Sequence, residues 1–405
     1  MSINNDIRLS RQGDFIIAQS RLKFEGVRLK TVVLGGYGNF GTRICRALAD
    51  SPDIDLIVAG RNAGRAATLA AKLGNRANSM RLDLAESNLA QTLRSVGAEL
   101  VIHTAGPFQE QGYDVPFAVA AADAHYIDLA DGRRFVCDFP QALDAAFRRS
   151  GRIAITGAST VPALSSAVVN HLSQGWENME SIDICIAPAQ TAPRGTATLA
   201  GVLNYCGAPI QVWRDGNWVT RYGWSNPAHI EFARLRPRIG ALCDIPDLEL
   251  FPAHYKNVRS VMFRAALEIG LSQRALSVLA WLRKTGLIRH PERFAKLLNV
   301  TAKGLDFMGT SLGGMVVRVQ GIDADGVQVR RAWHIAADND LGPEIPCMAA
   351  ILLARRLARK EISEVGAYTS MGCLKLSDFE PEFSKWGMNT DATAERGNLV
   401  SMAAT

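Results

Sequence analysis

Three glycines, Gly36, Gly38 and Gly41, stand as G-x-G-x-x-G in the stretch LGGYGNFG. At that spacing the first glycine permits a tight turn, the second lets the backbone approach a pyrophosphate, and the third lets a helix pack close to a strand. A helix opening there offers phosphates free N–H groups and a partial positive charge. The pattern carries weight only where a strand precedes it and a helix follows. Gly36, Tyr37, Gly38, Asn39, Phe40 and Gly41 are therefore the first candidates for cofactor contact, and tight helix packing is the competing account.

A site for an unphosphorylated dinucleotide usually places a carboxylate at the end of the second strand, where it takes the ribose 2′-OH. Here that strand ends AGRN: Arg61 stands 20 residues after Gly41, with Asn62 beside it and Arg65 one helical turn later. A guanidinium pairs with a 2′-phosphate that Asp or Glu would repel. The expected cofactor is NADP(H). The alternative is that Arg61 stacks on adenine or carries its stem along the surface to water. Asp83, just past the third strand, is placed either to meet the adenine edge or to cap a helix.

The loop Thr104, Ala105, Gly106 and Pro107 follows a fourth strand and should pass the ribose and nicotinamide end of the cofactor. His103 before it and Asp128 and Asp131 after the fifth strand are the candidate catalytic groups, able to orient a substrate or relay a proton. Each has an ordinary alternative, a satisfied core histidine for His103 and salt bridging with Arg133 and Arg134 for the acids. Several chemistries have no anchor. No tyrosine has a lysine four residues later, as short-chain dehydrogenases require, and HExxH and the Walker lysine motif are missing.

The elements that must position these residues are legible as an alternation. LKTVVL, DLIVAG, MRLDL, ELVIHTAG, HYIDLA and RIAITG read as strands. Between them Phe40, Ile44 and Leu48, then Ala66, Leu69 and Leu73, then Leu89, Leu93 and Val96, and later Phe139, Leu143 and Phe147, mark helical stripes. Strands alternating with helices imply a parallel sheet covered on both faces, because a parallel crossover needs a dozen residues or more.

Beyond about residue 158 the rhythm breaks. Ile182, Ile184 and Ile186 alternate as in a half-buried strand, and Asp215-Gly216 and Asp325-Gly326 lie between strand-like arms, a strong hairpin signal. Residues 258–300 read as helical, with ALSVLAWLRKTGL apolar enough to bury a face in the core, an interface or the wall of an apolar pocket, or to meet a membrane surface. The fold class expected is α/β: a Rossmann-type parallel-sheet domain plus a second α+β domain with an antiparallel sheet. The expected divisions are an N-terminal extension (1–28), the dinucleotide-binding domain (29–157), a substrate and dimerisation domain (158–345), a C-terminal segment (346–387) and a flexible tail (388–405).

The blocks LGGYGNFGTRICRAL, VAGRN, IHTAGPFQEQGYDVPFAVAAADAHYIDLADG, GTSLGGMVVRVQGID, DNDLGPEIPCMAA and GAYTSMGCLKLSDFE resemble the saccharopine dehydrogenase-like oxidoreductases, from about residue 29 to 385. The resemblance implies that the 346–387 segment returns to the first domain and that Gly36, Gly38, Gly41 and Arg61 bind NADP. It implies hydride transfer to or from an imine or amine, a carbonyl or an activated alkene of a small molecule. Relatives similar to trans-acting enoyl reductases of lipid pathways are an alternative, as is a cofactor-binding regulator without turnover.

Bulk properties set the remaining bounds. A chain of 405 residues with 48% hydrophobic and 21% charged residues is globular and long enough for two domains. A net charge of +6 from 45 basic and 39 acidic residues, scattered along the chain, argues against a nucleic-acid partner. Seven cysteines without a close pair read as buried small side chains with no metal role. No stretch reaches the length of a membrane span and the first residues lack a signal-peptide core, so a cytoplasmic location is expected, and the antiparallel sheet and apolar helices make a homodimer the expected assembly.

Overall fold

The computed structural model describes residues 28–86, 88–193 and 195–397. The expected N-terminal extension lies, except for residue 28, outside the described residues, as do the last eight. The first sheet is built from β1 (Leu29–Leu34), β2 (Ile54–Gly60), β3 (Ala77–Arg81), β4 (Leu100–His103), β5 (His125–Asp128) and β6 (Ile153–Thr156). The helices between them are α1 (Asn39–Ala49), α2 (Ala63–Leu73), α3 (Leu89–Ser95), α4 (Asp114–Ala121) and α5 (Arg133–Ser150). Apart from β3, which lies at the sheet edge, the strands read as near-continuous apolar runs because both sheet faces are covered. In β1, Val33 enters one hydrophobic core while Val32 and Leu34 enter the other.

After this domain come α6 (Ser165–Leu172), β7 (Trp176–Ala187), α7 (Thr196–Tyr205), β8 (Pro209–Arg214), β9 (Asn217–Tyr222), β10 (Ala228–Ile230), β11 (Arg238–Leu242), α8 (Asp247–His254), β12 (Ser260–Ala266), α9 (Gly270–Lys284) and α10 (Ala295–Lys303). The chain closes with β13 (Gly313–Asp323), β14 (Gln328–Ala337), α11 (Ile345–Ala358), β15 (Gly366–Thr369), α12 (Leu376–Lys385) and β16 (Asn389–Arg396). The C-terminal segment does run back: β15 pairs in parallel with β6, giving a seven-stranded parallel sheet of order β15-β6-β5-β4-β1-β2-β3. α11 lies on α1, where Arg355 donates to the Ala47 carbonyl at 3.1 Å and to Ser51 at 3.2 Å.

The second sheet follows the order β10-β11-β12-β7-β13-β14-β16, with the β8–β9 hairpin attached through β12. It carries the antiparallel pairs expected of the second domain and adds one parallel pair. β7 and β12 pair in parallel, and the long connection through α7, the β8–β9 hairpin, β10, β11 and α8 is the crossover that parallel pairing demands. Both Asp-Gly turns close hairpins. Asp215 and Gly216 have φ of 53° and 79°, as a two-residue hairpin loop requires. At the other turn only Gly326 has positive φ, and the Asp323 carboxylate closes the loop by accepting the N–H groups of Asp325 and Val327, each at 3.0 Å.

Two expectations fail. The helical reading of 258–300 breaks down at its start, where Ser260–Ala266 is β12 between two other strands; a short apolar run does not distinguish a buried strand from a buried helix. The expected tail from residue 388 includes β16, whose Asn389–Arg396 pairs with β14. Small polar residues on an edge strand look like a tail in sequence, and only the exposed edge of β14 selects them as a strand.

Candidate functional site

The glycine turn joins β1 to α1 at the point where strand order reverses, between β1 and β4. Ligands of open parallel sheets bind in the crevice beyond that point. The left-handed backbone falls at Gly35, with φ of 75°, one residue earlier than the motif suggests. Gly36 is required for space: a Cβ there would lie 2.9 Å from Val58 Cγ1 and 3.0 Å from the Val33 carbonyl. Gly41 is more confined, since its Cβ would lie 2.2 Å from the Gly35 carbonyl oxygen and 2.8 Å from Gly36 Cα.

α1 starts at Asn39, directly after Gly38, with no side chain capping it and no acid in its first turn. Its first N–H groups are thus left to a ligand, and nothing there repels an anion. This bare helix N-terminus, beside a turn stripped of side chains, fits the pyrophosphate of a dinucleotide. Asn39 faces the second domain and donates to the Pro193 carbonyl at 3.1 Å, while Phe40 is half-buried at the contact with α11.

At the far end of the turn Tyr37 lies across Gly60, where an added Cβ would come within 2.4 Å of its ring. The Tyr37 hydroxyl accepts the Asn62 N–H at 2.8 Å, and the Arg65 guanidinium sits 4.7 Å from the ring centre. Asn62 caps α2 by accepting the Arg65 N–H at 2.9 Å. Arg61 is exposed and makes no ion pair or side-chain hydrogen bond among the described residues. Asp83 is half-buried and accepts the Ala85 N–H at 3.2 Å; it closes a turn, while α3 starts only after Asn88, five residues downstream.

The loop after β4 is fastened beside this turn. The Thr104 hydroxyl and N–H donate to the Leu34 carbonyl at 2.8 and 3.0 Å, which holds Thr104 and Ala105 against Gly35. The Gln111 amide donates at 2.8 Å to the carbonyls of Ala105 and Pro107, and the Gly106-Pro107 peptide is cis. Gln111 was not singled out from sequence, although it belongs to the GPFQEQG block next to the loop.

The three candidate catalytic residues divide. His103 and Asp128 are fully buried and sit opposite each other in neighbouring strands. His103 Nδ1 meets the Tyr126 hydroxyl at 3.0 Å, and burial lowers the histidine pKa to about 4, so the ring is neutral near pH 7. Asp128 Oδ1 accepts from Thr156, Gly157 and Ala130 at 2.9, 2.8 and 2.9 Å, which joins the ends of β5 and β6. Burial raises its pKa to about 6 against those three donors. Asp131, by contrast, is exposed, on the side of the cleft towards the second domain, and it accepts the Gln109 amide at 3.0 Å.

That cleft is closed on its other side by the second domain. Gly201 in α7 packs on Gln109, and Asn204 donates to Glu110 at 2.7 Å. Tyr205, at the end of the same helix, has its hydroxyl pKa pushed well up by burial and by nearby Cys243, Asp131 and Asp244. Arg133 does not face a ligand. It donates to Glu249 at 3.0 Å, to the Gln211 carbonyl at 2.7 Å and to Asp244 at 3.1 Å, and so ties α5 to the second domain; Arg134 reaches the same Glu249. Nothing in the local sequence around Tyr205, Cys243 or Asp244 marks them for this cleft, because only the domain packing brings them to it.

All seven cysteines are free and six are buried. Among the described residues no His, Cys, Asp or Glu cluster is placed to hold a metal ion, and no helix is long and apolar enough to cross a membrane.

These features define a two-domain protein with a dinucleotide-binding parallel sheet and a cleft roofed by a mixed-sheet domain. Residues 31–155 match the family described as the saccharopine dehydrogenase NADP binding domain, so the first domain of this chain is similar to that NADP-binding domain. The whole fold is similar to an apo saccharopine dehydrogenase (L-Glu forming) from Saccharomyces cerevisiae, with a TM-score of 0.63 at 12% identity over 90% of this chain and 99% of that one. It is also similar to a homospermidine synthase from Legionella pneumophila in complex with NAD, with a TM-score of 0.62 at 10% identity over 94% of this chain and 95% of that one. At such identities the likeness establishes the fold. No match is found among curated protein sequences.

Proposed function

We propose that the protein is an NADP(H)-dependent oxidoreductase that transfers hydride to or from a C=N or C–N bond of a small molecule held in the interdomain cleft. The observation that carries the cofactor choice is the end of β2, where Arg61 is exposed and uncommitted, Arg65 is poised over Tyr37, and no carboxylate competes for the 2′ position. Gly36, Gly38 and the first turn of α1 would hold the pyrophosphate, Asn62 and Asp83 would border the adenosine, and Thr104 to Pro107 would flank the nicotinamide ribose. Bound there, a nicotinamide supplies a hydride donor or acceptor.

Asp131 is the candidate catalytic group, as the one member of the expected trio with solvent access. Its carboxylate makes no ion pair among the described residues, which suits an amine or protonated imine better than an anion. His103 and Asp128 act as positioning residues that fix the ends of β4 and β5 below the cofactor loop. A carbonyl or activated alkene of a lipid is the second reading, favoured by the apolar surface of α9 and α10 outside the cleft. A cytoplasmic homodimer completes the proposal. Calorimetry with NADPH and NADH tests the cofactor, and hydride exchange from NADPH across a panel of imines, ketones and enoyl thioesters tests the chemistry; no nicotinamide binding at neutral pH overturns the assignment.

A further inference from the structure

Among the described residues twelve large apolar side chains are exposed, and nine of them fall between Leu271 and Met308. Such concentration on a protein surface marks a contact site, whereas scattered exposed apolar residues do not. α9 buries Gln273, Leu276 and Ala280 and turns Leu271, Val278 and Trp281 outward, the last 57% exposed. α10 and the residues before it expose Phe294, Leu297 and Val300 at a spacing of three, and Phe307 beyond it is 84% exposed.

Both helices are anchored to α7 from outside. Arg283 at the end of α9 donates to the carbonyls of Leu203 and Cys206 at 3.4 and 3.1 Å, and α10 packs on the same helix. α7 presents its other side to the cleft through Gly201, Asn204 and Tyr205. The apolar surface is therefore the outer cover of the cleft roof and lies outside the site described above.

Its charge decides what it meets. Arg274, Arg289, Arg293, Lys296 and Lys303 are exposed on this segment and make no ion pair or side-chain hydrogen bond among the described residues. The two acids of the segment are occupied: Glu292 pairs with His290 at 2.9 Å, and Asp306 accepts the Gln190 amide at 2.9 Å. Residues 1–27 carry four basic and three acidic side chains and offer no complementary charge. A second copy docked face to face about a two-fold axis would set five free cations against five.

We propose that the α9–α10 surface docks on an anionic lipid membrane, with its aromatic and aliphatic side chains entering the interface and the five cations held by lipid headgroups. The docked face puts the cleft roof at the membrane, and this inference does not depend on the hydride-transfer reading.

The test is co-sedimentation of the full chain with vesicles of phosphatidylcholine alone and with about 30% phosphatidylserine added, a content chosen to set a negative surface potential. Binding is expected to the anionic vesicles, weak to the neutral ones, and reduced by added salt. Arg274→Gln, Lys296→Gln and Lys303→Gln together should lower partitioning by about 100-fold, roughly fivefold per cation. Trp281→Glu with Leu297→Glu should abolish it with the melting temperature unchanged, since both side chains are already in water. Equal binding to both vesicle types, or binding to neither, overturns the proposal. So does a dimer in solution that Trp281→Glu converts to monomer while vesicles bind neither form, which would assign the face to a second copy.

Discussion

Replacing Arg61 by alanine isolates the proposed 2′-phosphate contact, because the side chain is exposed and bonded to nothing among the described residues. The substitution removes no packing and leaves no buried partner behind, so folding stability should hold within about 0.5 kcal/mol. One charge-assisted hydrogen bond to the phosphate contributes about 1.5–3 kcal/mol. Because the site is open to water, the lower part of that range applies, which at about 1.4 kcal/mol per tenfold is a ten- to fiftyfold loss of NADPH affinity. NADH, which has a hydroxyl there, should bind almost as before. Arg65 lies 4.7 Å from the Tyr37 ring on the same side of the turn, so Arg61→Ala with Arg65→Ala should lose more than either alone. Calorimetric titration of both cofactors into wild type and variants reads the difference directly. Equal losses for NADPH and NADH would show that Arg61 supports adenine or the loop, and a wild type that prefers NADH would refute the reasoning.

Other substitutions probe the frame. Gly41→Ala brings a Cβ to 2.2 Å from the Gly35 carbonyl, and since both neighbours are backbone, α1 must shift. Destabilisation of about 1–3 kcal/mol by denaturant titration is expected, together with loss of cofactor binding; unchanged binding would mean that α1 does not position the pyrophosphate. Asp128 has a folded pKa raised from 3.8 to about 6, so the native state holds its proton longer than the unfolded chain and this residue's contribution falls as pH rises from about 4 to 6. Asp128→Asn keeps an acceptor for Thr156, Ala130 and Gly157, and its melting temperature relative to wild type should therefore climb across that window; a constant difference would refute the raised pKa. Arg133→Ala leaves Asp244 and Glu249, each about one-third exposed, without their interdomain partner. A loss of about 1–3 kcal/mol in denaturant titration is expected, less than for a fully buried pair, and a neutral result would remove Arg133 as the tie between domains.

Much of the glycine turn was legible because its requirements are local. A glycine where any Cβ collides with backbone, an apolar strand before it and an amphipathic helix after it are properties of a dozen neighbouring residues, and Gly36, Gly38, Gly41 and Arg61 stand where that pattern places them. The alternation of runs such as ELVIHTAG with stripes such as Phe139, Leu143 and Phe147 likewise fixes a parallel sheet, since no other arrangement buries both. The turn was misread only in detail, with the left-handed residue at Gly35.

What tertiary structure alone decided is which polar residues reach solvent and which strands become neighbours. His103, Asp128 and Asp131 are alike in sequence, three polar residues near strand ends, yet strand register buries the first two and leaves the third in a cleft. Ser260–Ala266 becomes a strand only because β7 and β11 flank it, and Asn389–Arg396 only because β14 has a free edge. Tyr205, Asp244 and Arg133 are separated by up to 111 residues and meet only when the second domain closes on the first. Side-chain periodicity encodes a residue's own face, but the partner of that face is set by packing between segments far apart in the chain, and it is there that the cleft is made.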